Sequence, residues 1–289
     1  MSTIKLAGQV RQALANLSPS EVRASADQKV SIELVAPAAE AYREMESLLL
    51  PPGTKIDKLA EGRALIYPPG GSPSTDVIRI YEESMAHPPG SFVYRPSEPD
   101  KVLRDILAAR KSLHLALARH FPGFRECVAP EIVRSVSGEN AMFAVATAIP
   151  NILPFVSLPF AIGEFASDTA FLTMNQVRMA FLLAGASDRE IGYGSQKKEI
   201  ASIVAGAFGW RTVARELVGK IPMGGGILPK AGIAYAGTYV VGASLERYYR
   251  LGYGFNKAER DAAYKQAFEK GKYIASKMVE AYRAKKEKG

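Results

Sequence analysis

The chain has 289 residues, 47% of them hydrophobic and 23% charged, which are the values of a folded globular protein rather than a disordered one. Its 25 glycines, 18 prolines and single cysteine exclude collagen-like, low-complexity and disulfide-stapled classes. The formal charge of +8 is uneven: Glu246–Gly289 holds twelve Lys/Arg against six Asp/Glu. Such an end attracts phosphates or is a solvated tail, and no zinc-finger spacing or RNA-recognition signature supports nucleic acid as the partner.

Met1 to Leu17 carries Lys5 and Arg11 within a weak helical pattern (Ile4, Ala7, Val10, Leu14) and has no continuous apolar run. No secretory signal is expected there, so the default is a cytoplasmic start. Ser18-Pro19-Ser20-Glu21 has the form of a capping box with Pro at the first helical position, which predicts a helix start. Val30 to Val35 alternates and is β-branched, a strand that stops at Pro37. Ala38, Tyr42, Met45 and Leu49 then fall at helical spacing. Three Pro-Pro-Gly sequences, starting at Pro51, Pro68 and Pro88, separate the short runs Ala64–Tyr67, Val77–Tyr81 and Phe92–Tyr94, which read as strands between turns. Ser97 with Asp100 predicts a helix carrying Val102, Leu103, Ile106 and Leu107. The first half reads as a small α/β domain over residues 1–123.

From Glu131 onward the pattern is helical. Ala141 to Gly163 is 23 residues without a formal charge, long enough to span a bilayer at about 20 residues per crossing. Pro150, Pro154 and Pro159 interrupt it, so two shorter helices with a bend are expected instead of one span. Ile200–Trp210 and Ala231–Leu245 are shorter uncharged stretches. Ala201, Ala205 and Gly209, and again Ala234, Thr238 and Gly242, fall at the four-residue intervals that let helix backbones approach closely. Gly224-Gly225-Gly226 between Pro222 and Pro229 predicts a joint, and a helical hairpin from Glu199 to Arg247. The fold class is therefore α+β: the N-terminal α/β domain, an apolar helical domain with hairpins over residues 124–252, and a basic amphipathic C-terminal helix over 253–289. That last helix aligns Tyr264, Phe268, Ile274, Met278 and Tyr282 on one stripe. Such a stripe can lie at a membrane interface or pack on the domain, leaving its lysines in water.

Catalytic and cofactor motifs are missing. No phosphate-cradling G-x-x-x-x-G-K-[ST], H-E-x-x-H or G-x-S-x-G is present, so no catalytic, cofactor-binding or metal residues are assigned. Thr54-Lys55-Ile56-Asp57 has the form of a GTPase base-recognition box, but it follows Pro51-Pro52-Gly53 rather than a buried strand. One polar constellation remains. Phe160 to Leu183 reads as an apolar helix that carries Glu164, Asp168, Asn175 and Arg178 within an arc of about 80°. Two carboxylates at i, i+4 repel unless compensated, and Arg178, Lys220 or Lys230 can do so. The four residues are either a polar seam that fixes helix packing or simply faces water, or a buried polar or ion-handling site.

Asn140-Ala-Met-Phe-Ala-Val-Ala-Thr-Ala-Ile-Pro150, Gly163-Glu-Phe-Ala-Ser-Asp168 and Asn175-Gln-Val-Arg-Met179 resemble an uncharacterised bacterial family, domain of unknown function six-nine-seven. That family occurs in YcjF-like inner-membrane proteins and behind Era-like GTPase domains. Glu199–Gly206, Lys220-Ile-Pro222 and Lys230–Gly237 extend the resemblance, which covers about Leu113 to Arg250. It implies a helical, membrane-associated or GTPase-associated module without a known activity and without catalytic residues to carry over. The resulting expectation is a non-enzymatic scaffold on the cytoplasmic side of the inner membrane, with membrane lipids and a GTPase or other protein as partners. The alternative is a soluble cytoplasmic enzyme or ligand-binding protein with a polar pocket around Asp168.

Overall fold

The computed structural model describes residues 3–15, 17–74, 76–149, 168–206 and 226–286. An N-terminal four-stranded parallel sheet with helices precedes a mainly helical C-terminal region. Two compact units divide the chain. The α/β unit is Ser20–Ala129 with Ala184–Ile191, and the helical unit is Met1–Pro19, Pro130–Leu183 and Gly192–Gly289.

In the α/β unit, α2 (Pro19–Ala26) leads into β1 (Ile32–Val35), α3 (Ala39–Leu49), α4 (Ile56–Arg63), β2 (Ile66–Tyr67), β3 (Ile78–Glu82), β4 (Phe92–Tyr94), α5 (Pro99–Ala109) and α6 (His114–His120). The sheet order is β2-β1-β3-β4, with every neighbouring pair parallel. Ile32, Leu34, Ile78 and Ile80 are almost wholly buried, together with Met45 and Leu49 of α3 and Val102 and Ile106 of α5. These are the apolar positions that the alternation and helical spacing pick out. α5 starts at Pro99 with Glu98 as its N-cap, one residue later than Ser97 and Asp100 suggest.

Each Pro-Pro-Gly forms the same turn. The N–H of Thr54, Gly71 and Ser91 donates to the carbonyl of Pro51, Pro68 and Pro88 respectively, at 3.1, 2.9 and 3.2 Å. The third residue of each turn, Gly53, Gly70 or Gly90, has φ of +89°, +73° or +80°. Proline fixes the second position and only glycine takes the third without strain, which is the type II arrangement. Two of these turns let parallel strands follow one another through residues 68–77 and 83–91 with no helix among the described residues. The strands are short, and β4 begins level with Ile80, so the chain has little distance to return.

Glu33 on β1 anchors the first of those connections. Its carboxylate accepts from Arg79 Nε on β3 at 2.6 Å and from the Ser72 N–H at 3.3 Å. Burial pushes this carboxyl up, but Arg79 and the backbone N–H groups of Ser72 and Gly70 outweigh it and hold the group below its ordinary value.

The helical unit contains α1 (Thr3–Ala15), most of α7 (Arg125–Ala146) and α8 (Asp168–Ala186), a helix at residues 197–206 (α9), α10 (Ile227–Leu251) and α11 (Lys257–Lys286). Phe143 of α7 stacks on Phe171 of α8 with ring centroids 3.8 Å apart. The beginning of the long uncharged stretch, Ala141 to Ala146, belongs to the core, where it clusters with Ala231, Tyr235, Ala267 and Ala275. The remainder of that stretch, with its expected bend, lies outside the described residues, as do most of the glycine joint and the turn of the expected 199–247 hairpin. Among the described residues, α10 and α11 form a hairpin. Tyr264, Phe268, Ile274, Met278 and Tyr282 pack their stripe against the core cluster, which places the apolar face of α11 inside the protein. No helix among the described residues is long and apolar enough to cross a membrane.

Candidate functional site

The polar constellation of α8 is a network that joins three helices. Asn175, fully buried, donates through Nδ2 to Glu139 Oε2 (3.0 Å) and Asn140 Oδ1 (2.9 Å), both on α7. Its Oδ1 accepts from Arg178 Nε at 2.9 Å, and the Arg178 guanidinium also pairs with Glu139. Asn140 Nδ2 continues to Thr238 Oγ1 on α10 at 2.6 Å, where Gln176 Nε2 adds a second donor at 3.2 Å. Each buried amide thus finds partners within the bundle, as burial demands. Asn175 and Arg178, grouped by helical spacing, do come together. Asp168 stands apart, half-exposed, where it pairs with Lys230 Nζ at 2.6 Å; the same ammonium donates to Thr147 Oγ1 at 3.0 Å. Glu164 lies outside the described residues. Glu139 and Gln176 complete the network, and nothing in the α8 pattern signals the former, because it sits on another helix.

The two small-residue series differ. Ala234, Thr238 and Gly242 are buried, and a Cβ on Gly242 would lie 2.6 Å from the Met179 sulfur. Ala201 and Ala205 are exposed, so among the described residues they mark no tight crossing.

A second charged cluster, which no spacing in the sequence signals, lies in the α/β unit. Lys58 of α4 is buried, and its ammonium touches Glu61 (3.0 Å) and Asp188 (3.1 Å). Asp188 ends α8 in a Schellman motif: its N–H reaches the Gly185 carbonyl, and the Arg189 N–H reaches that of Ala184. The residue at this position takes φ of +55°, where glycine is usual. An aspartate there supplies the carboxylate that Lys58 needs. Thr54-Lys55-Ile56-Asp57 runs from the loop after α3 into the first turn of α4; Lys55, Ile56 and Asp57 are exposed, and the Asp57 carboxylate accepts the N–H of Lys58. Its oxygen is thus used in starting a helix. Among the described residues no cluster of three or more His, Cys, Asp or Glu could hold a metal ion.

Among the described residues, the end of the α10–α11 hairpin is an exposed turn held by caps, an ion pair and ring contacts. Gly252 closes α10 at φ +85°, its N–H donating to the Tyr248 carbonyl. Asn256 and Glu259 start α11 with a reciprocal capping box, at 2.8 and 3.0 Å. Glu259 also accepts from Arg247 at 2.6 Å, and the Arg247 guanidinium lies over the rings of Tyr253 (4.9 Å) and Phe255 (5.5 Å). Hydrogen bonds from Arg247 and the Asn256 N–H hold the Glu259 carboxyl below its ordinary value. This frame leaves Tyr248, Leu251 and Tyr253 exposed, beside exposed Arg250 and Lys257. The sequence showed the basic end but not this turn, although Gly252 and the Asn256/Glu259 spacing signal both caps.

No family model, curated protein or solved structure matches the chain.

Proposed function

We propose that the protein is a non-enzymatic scaffold that docks peripherally on an anionic membrane through the end of the α10–α11 hairpin. The observation that carries this reading is the joint exposure of Tyr248, Leu251 and Tyr253 with Arg250 and Lys257 on a turn fixed by two caps and an ion pair. Amphipathic aromatics suit the boundary between headgroups and acyl chains, and basic residues beside them are drawn to anionic lipid. The stripe of α11 is engaged in core packing, so the turn, rather than the helix face, is the contact. The cytoplasmic side of the inner membrane is the site this reading assigns. Its partner, drawn from the resemblance to domain of unknown function six-nine-seven, is a GTPase on another chain.

Flotation of the full-length chain with vesicles tests the docking. Phosphatidylcholine vesicles containing phosphatidylglycerol should carry the protein upward at low salt, and pure phosphatidylcholine should carry much less. Changing Leu251→Ser together with Tyr253→Ser should abolish flotation while leaving the helical signal intact. Failure to float with either vesicle, or flotation indifferent to that double change, would overturn the reading.

A further inference from the structure

A cleft of about 420 Å³ runs between α9 and α10 beside the hairpin turn. Residues 198, 199, 202, 203 and 206 of α9 and residues 240, 241, 244, 245 and 248 of α10 line it. Both sets follow the same i, i+1, i+4, i+5, i+8 pattern, so each helix presents one continuous face. Two turns of helix on either side make the cleft about 12 Å long. Its volume is that of a small-molecule site, and a lining that extends along two turns of each helix suits a chain.

The lining is chemically divided. Ile203, Val240, Leu245 and Tyr248 supply apolar surface, whereas Lys198 and Arg260 supply two cations. Both cations are exposed, and among the described residues no carboxylate lies within ion-pair distance of either. A single carboxylate, Glu199, also lines the cleft and is outnumbered. An apolar trough bordered by unneutralised cations complements a molecule with a hydrocarbon chain and an anionic head. We infer that the cleft binds a single-chain anionic amphiphile, a long-chain carboxylate, with its chain along Val240 and Leu245 and its carboxylate on Lys198 or Arg260.

Calorimetric titration of the full-length protein with laurate, below its micellar concentration, tests this. Wild-type protein should bind saturably with one site. Ser202→Trp, an exposed position on the cleft wall, should fill the trough and abolish binding. Lys198→Glu with Arg260→Glu should weaken laurate at least tenfold and leave the weaker binding of neutral methyl laurate unchanged. Circular dichroism melting of these surface variants establishes that they fold. Absence of saturable laurate binding by the wild type, or equal binding by Ser202→Trp, would overturn the inference. Flotation with vesicles reads the turn instead, so a chain that floats but ignores laurate refutes the cleft alone.

Discussion

Gly271 of α11 rests on Gly232 of α10 at the point where the two helices cross. A Cβ on Gly271 would lie 2.9 Å from the Gly232 Cα and 2.6 Å from the Tyr235 Cβ. Neither neighbour is the far end of a flexible side chain, so the helices themselves would have to part. Gly271→Ala gains about 1 kcal/mol of helix propensity but brings an overpacking cost of about 1–3 kcal/mol, so a net loss of stability is expected. Gly138 of α7 is the control, since nothing lies within 4 Å of a Cβ placed there. Gly138→Ala should stabilise by up to about 1 kcal/mol. Urea denaturation of the two variants should give midpoint shifts of opposite sign; a gain in both would mean that the crossing has room to spare.

The α8 network makes a second pair of contrasting expectations. Thr238→Val keeps the shape of the side chain and removes the oxygen that accepts from Asn140 and Gln176. Two buried amides then lack an acceptor, at a cost of about 1–3 kcal/mol. Asp168→Asn breaks only the half-exposed pair with Lys230, where about 0–1 kcal/mol is expected. The same denaturation measurement ranks them. If Asp168→Asn proved the costlier, the weight of the seam would sit at its exposed end.

What the sequence shows and what it hides follow from how local each signal is. The Pro-Pro-Gly turns and the short β-branched runs are local, so all three turns and the runs at β1 to β4 can be read directly. The order β2-β1-β3-β4 depends on pairings such as Ile32 with Ile78, which no spacing encodes. Likewise, the face shared by Asn175 and Arg178 is periodic and legible, whereas Asn140 meets Thr238 across 98 residues of chain. Ala267, Gly271 and Ala275 repeat the four-residue interval of small residues, but in a helix so charged that hydropathy conceals them. Asp188 carries no signal at all. The left-handed backbone, the buried ammonium of Lys58 and Arg119 Nε at 3.8 Å explain an acid at that position.

That acid is itself testable. Asp188→Asn preserves a side chain tolerant of the left-handed region and removes the charge, leaving Lys58 buried with Glu61 alone. A fully buried pair broken on one side costs about 3–5 kcal/mol, and the remaining carboxylate and the partial exposure of Asp188 reduce this to about 1–2 kcal/mol. Adding Lys58→Met to Asp188→Asn should recover part of the loss, because no unpaired charge is then left inside. A double-mutant cycle measures the coupling, and strict additivity would show that the two residues do not stabilise one another.

His120, at the end of α6 and in the same cluster, makes stability depend on pH. Burial lowers the imidazole pKa below its ordinary 6.5, and nearby Lys58 and Arg119 lower it further, while the Glu61 carboxylate 3.1 Å from Nδ1 opposes them without prevailing. Because the folded value lies beneath the unfolded one, the unfolded chain binds the proton first as the pH falls. The contribution of His120 is therefore present above pH 6.5 and is lost as the pH falls through the folded value. Unfolding free energies measured from about pH 7.5 down to about pH 5.5 should decline in the wild type. His120→Gln retains a polar group toward Glu61 and cannot titrate, so its decline should be shallower over the same interval. A slope that the substitution leaves unchanged would mean that the imidazole binds its proton equally well in the folded and unfolded chains, and that burial behind Glu61 costs its charged form nothing.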